Sequence, residues 1–138
     1  MLFRMGSSGR YRTNAGAVFS LKYHVVFCPK YRRPVLAEPV DARLKQVLQE
    51  VADDHGITIH SMEVMPDHVR LFVEADPTFC VAEIVHRLKG ASSRILRSEF
   101  RHLRSRLPTL WSRSYYAGSV GQVSEAVVRR YIEAQKGA

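Results

Sequence analysis

The most constraining feature of this sequence is an alternating segment in the middle of the chain, over residues 68–74. Side chains of a β-strand point to opposite faces in turn, so apolar residues at every second position predict a strand with one buried face. The apolar positions are Val69, Leu71 and Val73. His68 and Arg70 then lie side by side on the opposite face. Most surface pairs of this kind are only solvated, so a functional interpretation needs partners from elsewhere in the chain.

The alternating segment belongs to a regular series of strand and helix patterns. The series comprises a strand over 17–27, a helix after Pro39, a strand over 57–64, the strand of His68, a helix after Pro77, a short strand over 115–120, and a last helix that follows Ser124 and runs to Lys136. This βαββαβ order is that of the ferredoxin-like fold, which RNA-recognition modules share.

The order predicts an α+β, ferredoxin-like fold with an extra C-terminal helix. In this fold both helices of the βαββαβ unit cover one face of a four-stranded antiparallel sheet, and the first and third strands are central. The open face is then expected to carry Lys22 and His24 next to His68 and Arg70.

The chain length of 138 residues fits one domain with a substantial core. Residues 1–16 are rich in glycine, serine and arginine, and they are predicted to form a flexible N-terminal arm before a single domain over 17–138. No apolar stretch suits a membrane span or a signal peptide, so a cytoplasmic protein without a membrane partner is expected. Cys28 and Cys80 lack Cys-x-x-Cys spacing and are expected to be reduced apolar residues.

The formal net charge of +8 is unevenly distributed. Ten of the thirteen acidic residues lie between positions 38 and 83, whereas residues 87–113 carry eight basic residues and the single acid Glu99. Such a block is typical of proteins that bind polyanions, most often nucleic acids, although a solvated basic helix has the same composition. The candidate DNA contacts are Lys30, Arg32, Arg33, Arg87, Lys89, Arg94 and Arg97, with Trp111 and Tyr115 as candidate base-stacking groups.

Two tyrosines have both a structural and a functional interpretation. Tyr31 lies in the basic segment 30–34, where it is either a core residue or a group that stacks on a base. Tyr131 shares one face of the last helix with Val128 and Gln135, because residues three and four positions apart are neighbours on a helix. Taken alone, Tyr131 is most simply an aromatic residue that anchors the helix.

Five stretches of the sequence together carry a family resemblance. They are Tyr-His-Val-Val-Phe-Cys-Pro-Lys-Tyr-Arg-Arg from Tyr23, Met-Pro-Asp-His-Val-Arg-Leu from Met65, Leu-Lys-Gly-Ala-Ser-Ser-Arg from Leu88, Leu-Trp-Ser-Arg-Ser-Tyr-Tyr from Leu110 and Arg-Tyr-Ile-Glu-Ala-Gln from Arg130. In this order and spacing they resemble the single-tyrosine HUH transposases of small insertion sequences, of the TnpA type. The resemblance spans most of the chain and is specific as a set, although no single stretch is.

The resemblance implies an enzyme that cleaves and rejoins single-stranded insertion-sequence ends, folded as DNA hairpins, through a 5′-phosphotyrosine intermediate. By position, His68 and Gln135 are the implied ligands of a divalent metal, Mg²⁺ or Mn²⁺, and Tyr131 is the implied nucleophile. These residue types suit the chemistry, because a phenol with an ordinary pKa of about 10 needs a cation to stabilise the charge that develops on the phosphoryl group.

The resemblance also implies a nucleoid-associated homodimer whose sites combine His68 of one chain with Tyr131 of the other. The short glycine-containing stretch 118–121 precedes the last helix, so no sequence feature fixes this helix against its own sheet.

The sequence departs from the family at position 70, where Arg70 replaces the second histidine of the metal-binding pair. A guanidinium stays protonated and has no acceptor lone pair, so it cannot ligate a cation. Three explanations remain open: an inactivated copy or substitution, a site in which Arg70 holds the scissile phosphate, or metal binding rescued by a neighbour such as His24. We favour impaired catalysis with retained DNA binding. The alternatives are a non-catalytic single-stranded nucleic-acid binding module and a transposase-derived repeat-processing protein.

Overall fold

Residues 3–5, 11–14, 17–19, 21–119 and 125–138 are described by the structure, a computed structural model. Near the N-terminus, the strands β1 (Phe3–Met5), β2 (Tyr11–Asn14) and β3 (Ala17–Phe19) form a small antiparallel sheet in this order. The segment predicted as a flexible arm therefore contains paired strands, and its flexibility stays a prediction. The single strand predicted over 17–27 is divided between two sheets, because residues 17–19 find their hydrogen-bond partners in β2.

The main antiparallel sheet consists of β4 (Lys22–Phe27), β5 (Thr58–Met65), β6 (His68–Glu74) and β7 (Tyr116–Ser119). Within the described residues its strand order is β5-β6-β4-β7. The first and third strands of the βαββαβ unit, β4 and β6, are therefore central. This arrangement confirms the predicted α+β, ferredoxin-like fold.

One face of the main sheet packs against α1 (Val40–Asp54) and α2 (Val81–Glu99), which the short helix α3 (Arg101–Ser105) follows. The apolar positions of β6 are buried, as the alternation predicts, and they form one core with buried side chains of both longer helices. Burying a large aliphatic side chain contributes about 1.5–3 kcal/mol, so this core is a major source of stability for the fold.

The opposite face is covered at one end by the helix α4 (Glu125–Ala134). Val26 lies on this face, opposite Arg70 of β6 and Tyr116 of β7 in the strand register, yet it is only 1% exposed. On α4 itself, Val128 is equally buried. The polar face predicted to be open is therefore partly occupied at this end of the sheet, where Glu125 of α4 binds Arg70 and Tyr131 lies near Tyr116.

The remainder of this face carries aromatic and charged groups. His24 stacks on Phe72 with ring centroids 4.8 Å apart, and His60 Nε2 lies 2.7 Å from the buried Glu74 Oε1.

No helix in the described part of the chain is long and apolar enough to cross a membrane. Both cysteines have free thiols, consistent with the expected reduced state.

Part of the stretch predicted to be flexible before α4 belongs to the main sheet. Gly118 and Ser119 of the predicted flexible stretch are paired residues of β7. Val120 and Gly121, together with the predicted helix-capping Ser124, lie outside the described residues.

Candidate active site between strand β6 and helix α4

His68 begins β6, directly after the turn that carries Asp67. Its Nδ1 atom is 2.8 Å from Asp67 Oδ1. A carboxylate accepts hydrogen bonds, so the proton of the neutral imidazole lies on Nδ1 and the Nε2 lone pair can face a ligand. Arg32 supports this carboxylate from the other side, with its Nε atom 3.4 Å from Asp67 Oδ2. In metal sites, a hydrogen bond from the other ring nitrogen to a carboxylate, like the one from His68 Nδ1 to Asp67, orients the histidine that ligates the metal.

Arg70, two residues further along β6, forms an ion pair with Glu125 in the first turn of α4. Its Nη1 and Nη2 atoms donate to Glu125 Oε2 and Oε1 at 3.2 and 2.7 Å. These hydrogen bonds raise the pKa of Arg70 and lower the pKa of Glu125. Arg70 therefore stays charged, and it directs its donors to a carboxylate of its own chain.

Tyr131 and Gln135 are brought together by a third residue, Ser114. The Ser114 hydroxyl oxygen is 3.1 Å from Tyr131 Oη and donates to Gln135 Oε1 at 3.0 Å. A serine hydroxyl has one proton, so the Tyr131 phenol donates the remaining bond to Ser114 Oγ. Gln135 follows the last residue of α4 and is 8% exposed. The predicted nucleophile and the predicted metal ligand thus share one hydrogen-bond chain, in which Gln135 is buried and Ser114 is exposed.

The surroundings of Tyr131 keep its phenol protonated. Burial raises the pKa of Tyr131, and the hydrogen bond with Ser114 offsets this only in part. The Tyr116 ring lies 6.2 Å from the Tyr131 ring, centroid to centroid. The phenol in this structure is therefore a weak nucleophile at neutral pH.

Lys89 of α2 holds the loop that carries Ser114. Its ammonium donates to the carbonyl oxygens of Ser112 and Ser114 at 2.7 and 3.2 Å. Burial lowers the pKa of Lys89. Two of its three N–H donors are used inside the protein, where they position the loop of Ser114, and its predicted DNA contact stays a prediction.

Arg32 ties α4 to the turn before β6. Its Nη1 atom donates to Ile132 O at 3.3 Å and lies 3.5 Å from Glu133 Oε1, while its Nε atom faces Asp67. These contacts give Arg32 a structural role, and its predicted DNA contact stays a prediction. The expectation that α4 is not fixed against its own sheet is wrong, since Arg32 and Arg70 both bind it.

The donor groups present do not fit a firmly held divalent cation. His68 offers one nitrogen, and Gln135 offers one oxygen that already accepts a bond from Ser114. Arg70 offers no lone pair. His24, the candidate replacement, stacks on Phe72 and lines a groove of about 290 Å³ together with Arg70. Among the residues that the structure describes, no group of three or more His, Cys, Asp and Glu side chains could hold a metal ion.

Comparison with known proteins identifies the family to which this arrangement belongs. Residues 17–135 match the family model for IS200-like transposases. This chain belongs to the IS200-like transposases. It is 38% identical over 122 residues to the ISDra2 transposase TnpA of Deinococcus radiodurans, with 87% of each chain covered. It is 30% identical over 119 residues to the transposase for insertion sequence element IS200 of Salmonella typhimurium, with 85% of this chain and 78% of that protein covered.

Solved structures of transposases have the same fold. A putative transposase from Deinococcus radiodurans matches this IS200-like transposase with a TM-score of 0.85 at 37% identity, over 91% of this chain and 98% of the other. A REP-associated tyrosine transposase bound to a REP hairpin matches with a TM-score of 0.55 at 12% identity, over 82% of this chain and 62% of the other. The first match confirms family and fold, and the second confirms the fold.

Trp111 of this IS200-like transposase is a core residue. It is 6% exposed, its ring meets the Phe27 ring edge-to-face at 4.7 Å, and its Nε1 atom donates to the buried Ser92 Oγ at 3.0 Å. The prediction that Trp111 stacks on a base is therefore corrected. Tyr115 is partly buried against the core and lines a groove of about 360 Å³ with His86 and Arg113, so its predicted DNA contact stays a prediction.

The other basic candidates differ in how available their charges are. Arg33 and Arg94 are exposed, and they stay candidates for phosphate contacts. Three more make contacts within the protein: Arg97 donates to Pro108 O at 3.0 Å, Arg87 pairs with Glu83 at 3.0 Å, and Lys30 Nζ lies 5.1 Å from the centroid of the Tyr31 ring.

Sequence reasoning missed the site roles of Ser114, Asp67 and Glu125. Ser114 lies within the stretch from Leu110 that carries the resemblance, and Asp67 adjoins His68, so position in a shared motif was the available signal. For Glu125, the sequence indicates only an acidic residue at the start of the last helix, where it suits the positive end of the helix dipole. Its pairing with Arg70 depends on how α4 docks, which no local pattern reveals.

Proposed function

We propose that this transposase cleaves and rejoins single-stranded DNA hairpin ends through a 5′-phosphotyrosine intermediate on Tyr131, and that Arg70 slows cleavage while DNA binding is retained. The observation that carries the proposal is the hydrogen-bond chain from Tyr131 through Ser114 to Gln135. The net charge of +8 suits a polyanionic substrate. A REP hairpin is bound by a transposase of the same fold.

The proposed reaction is a transesterification. The Tyr131 oxygen attacks the phosphorus of one phosphodiester, a bond forms between that oxygen and the 5′ phosphate, and the bond from phosphorus to the 3′ oxygen breaks. The phenol loses its proton and the leaving 3′ oxygen gains one, so protons balance. Attack by the 3′ hydroxyl of another DNA end reverses the exchange and frees the phenol. One phosphoester replaces another, so neither water nor an energy source is consumed.

Arg70 impairs this reaction for two physical reasons. Negative charge grows on the phosphoryl oxygens in the transition state, and a cation placed beside them normally stabilises it. Arg70 cannot recruit a metal, and its own guanidinium is bound to Glu125. Independently of Arg70, burial raises the pKa of Tyr131, which disfavours the attacking phenolate.

The second candidate function is a non-catalytic module that binds single-stranded nucleic acid, with repeat processing as a related form. The ion pair between Arg70 and Glu125 favours this alternative, because it occupies the place of a metal-ligating side chain with a contact that stabilises structure. A covalent adduct between protein and DNA distinguishes the two candidates.

The adduct is measured on denaturing gels after incubation with single-stranded hairpin DNA and Mn²⁺. We expect a weak adduct for the unmodified protein and an increase of about 100-fold for Arg70→His, a size typical of restored transition-state charge stabilisation. Tyr131→Phe should abolish the adduct in both backgrounds, whereas the neighbouring Tyr116→Phe serves as a matched control and should retain it. An adduct that persists in Tyr131→Phe assigns the nucleophile elsewhere. Intact DNA binding without any adduct in Arg70→His favours the binding module.

Metal binding is tested separately by calorimetric titration with Mn²⁺. We expect Arg70→His to bind Mn²⁺ at least about tenfold more tightly than the unmodified protein. The imidazole offers a nitrogen ligand beside His68, whereas the guanidinium that it replaces carries a positive charge and repels the cation. Arg70→Met is the control that removes the charge without adding a ligand. Equal affinities for Arg70→His and Arg70→Met would show that position 70 is not a ligand position.

A further inference from the structure

The basic turn Lys30–Arg32 has a strained backbone. Tyr31 adopts φ 60° and ψ 15°, and Arg32 adopts φ 52°. This left-handed region is unfavourable for residues with a side chain. Burial does not compensate for the strain, because Tyr31 is 40% exposed. Persistent backbone strain is concentrated at functional sites, so the turn is a candidate site.

Backbone hydrogen bonds from distant parts of the chain hold the turn in place. The Lys30 amide donates to Leu110 O and the Tyr31 amide donates to Ala138 O, both at 2.8 Å. Neither partner belongs to the turn. The exposed position of the Tyr31 ring is therefore imposed by the tertiary structure.

The turn adjoins the helix of the proposed nucleophile. Arg32, the residue after Tyr31, contacts Ile132 O at 3.3 Å and Glu133 at 3.5 Å. These two residues directly follow Tyr131. A group bound on the Tyr31 ring therefore lies beside the C-terminal half of α4.

The surroundings of the ring suit one unstacked nucleotide. Tyr31 lines a groove of about 390 Å³ together with Arg33 and Lys136, whose side chains are exposed. Lys30 Nζ is 5.1 Å from the ring centroid. A basic groove that contains an aromatic ring is the general design for binding single strands, since bases stack on the ring while cations contact the phosphates.

We infer that Tyr31 is a stacking platform for a base of single-stranded DNA next to the phosphate that Tyr131 attacks, and that Arg33 and Lys136 contact the adjoining phosphates. This inference rests on the proposed function for the identity of the ligand, and it adds a nucleotide subsite to it. Of the two interpretations of Tyr31 that the sequence allows, the exposed ring favours stacking over a core role.

The test uses two fluorescein-labelled probes of equal length, a short oligothymidylate and an oligonucleotide made of abasic sites. Tyr31→Gly removes the ring at a position whose backbone glycine adopts readily, and Tyr31→Asn does so with a residue that tolerates the left-handed region. Tyr31→Phe keeps the ring. Phe79→Leu is the matched control, because the Phe79 ring also lies near a cation, 5.6 Å from Arg87 Cζ, but beside the start of α2. Thermal unfolding of each variant verifies the fold.

We expect Tyr31→Gly and Tyr31→Asn to bind oligothymidylate between about 5-fold and about 150-fold more weakly, the range for losing one stacked base. Their binding of the abasic probe should be unchanged, and Tyr31→Phe and Phe79→Leu should bind both probes as the unmodified protein does. Unchanged oligothymidylate binding in the folded Tyr31→Gly and Tyr31→Asn variants overturns the inference, as does equal loss on both probes. Failure of the proposed function is distinct: the unmodified protein then binds neither probe, or the Tyr131 adduct is absent while the Tyr31 effect remains.

Discussion

At the scale of single residues, Ser114 orients the phenol of the proposed nucleophile. Its hydroxyl accepts from Tyr131 and donates to Gln135, and Lys89 fixes its backbone carbonyl. Gln135 is not a base, so the chain can orient the phenol but cannot take up the proton that Tyr131 would lose on attack. The proposed attack therefore needs a proton acceptor other than Ser114 and Gln135.

This network predicts different effects for two basic residues of α2. Lys89→Met should destabilise the fold by about 1–3 kcal/mol, because the carbonyls of Ser112 and Ser114 lose a charged donor. It should also reduce the adduct formed in the Arg70→His background, without changing the salt dependence of single-strand binding. The exposed Arg94 is the matched control: Arg94→Gln should leave stability unchanged and reduce the log-log salt slope by about 0.7, the value for one phosphate contact.

The measurements are urea unfolding and binding titrations at several salt concentrations. A reduced salt slope in Lys89→Met would contradict the positioning role, since it would place the Lys89 ammonium on a phosphate.

At the scale of elements, α4 is an accessory helix held by ion pairs on one edge and by apolar packing along its middle. Arg70 binds its first turn and Arg32 binds its last turn, while Val128 is buried between them. Arg70, at the position where the family resemblance predicts a metal-ligating histidine, thus forms a tether between β6 and α4, the helix of the proposed nucleophile.

The tether predicts faster amide hydrogen exchange in α4 when Glu125 is replaced by glutamine. The increase should be less than about tenfold, because exposed ion pairs stabilise weakly. Glu99→Gln is the matched control, since Arg43 binds Glu99 in the same two-bond geometry, at 2.9 and 3.0 Å, between α1 and α2. Exchange is followed by mass spectrometry at one fixed pH. Unchanged exchange of α4 in Glu125→Gln would contradict the tether.

The direction of the pH dependence follows from the lowered pKa of Glu125. A carboxylate with a depressed folded-state pKa stabilises above its ordinary pKa, and that stabilisation is lost as the pH falls through the lowered value. The difference in the stability of α4 between Glu125→Gln and the unmodified protein should therefore be present near neutral pH and disappear in acid.

At the scale of the whole molecule, the main sheet separates the hydrophobic core from the candidate site. The α1 and α2 face forms the core, and the opposite face carries His68, Arg70 and the docked α4. In the single chain the helix of Tyr131 lies on its own sheet. The predicted homodimer with shared sites requires α4 to leave this position and dock on a partner.

Complementation distinguishes shared from separate sites. In the Arg70→His background, a His68→Ala protein and a Tyr131→Phe protein are mixed under conditions that exchange subunits. Shared sites in a homodimer should restore adduct formation, because one of the two sites then contains neither defect. Separate sites should leave the mixture inactive. The Arg70→His protein in the same assay and a direct measurement of subunit exchange are the controls.

The sequence by itself determined the class of the fold and the identity of the chemical groups. Period-two and helical apolar patterns are local, so they located the main sheet, the core positions Val69, Leu71 and Val73, and the face shared by Tyr131 and Gln135. The motif set indicated the family, which the comparisons confirm. The replacement at Arg70 was also visible without a structure.

Only the tertiary structure decided which side chains are available to act. Trp111 and Lys89 occur in a basic, aromatic segment that looks like a DNA surface, yet one is buried in the core and the other bonds carbonyl groups. The links from Arg70 to Glu125 and from Tyr131 to Ser114 join residues 55 and 17 positions apart. Such contacts depend on where a helix docks, because hydrogen bonds and ion pairs form only within a few ångströms. No local sequence pattern predicts how close two distant residues come in the folded chain.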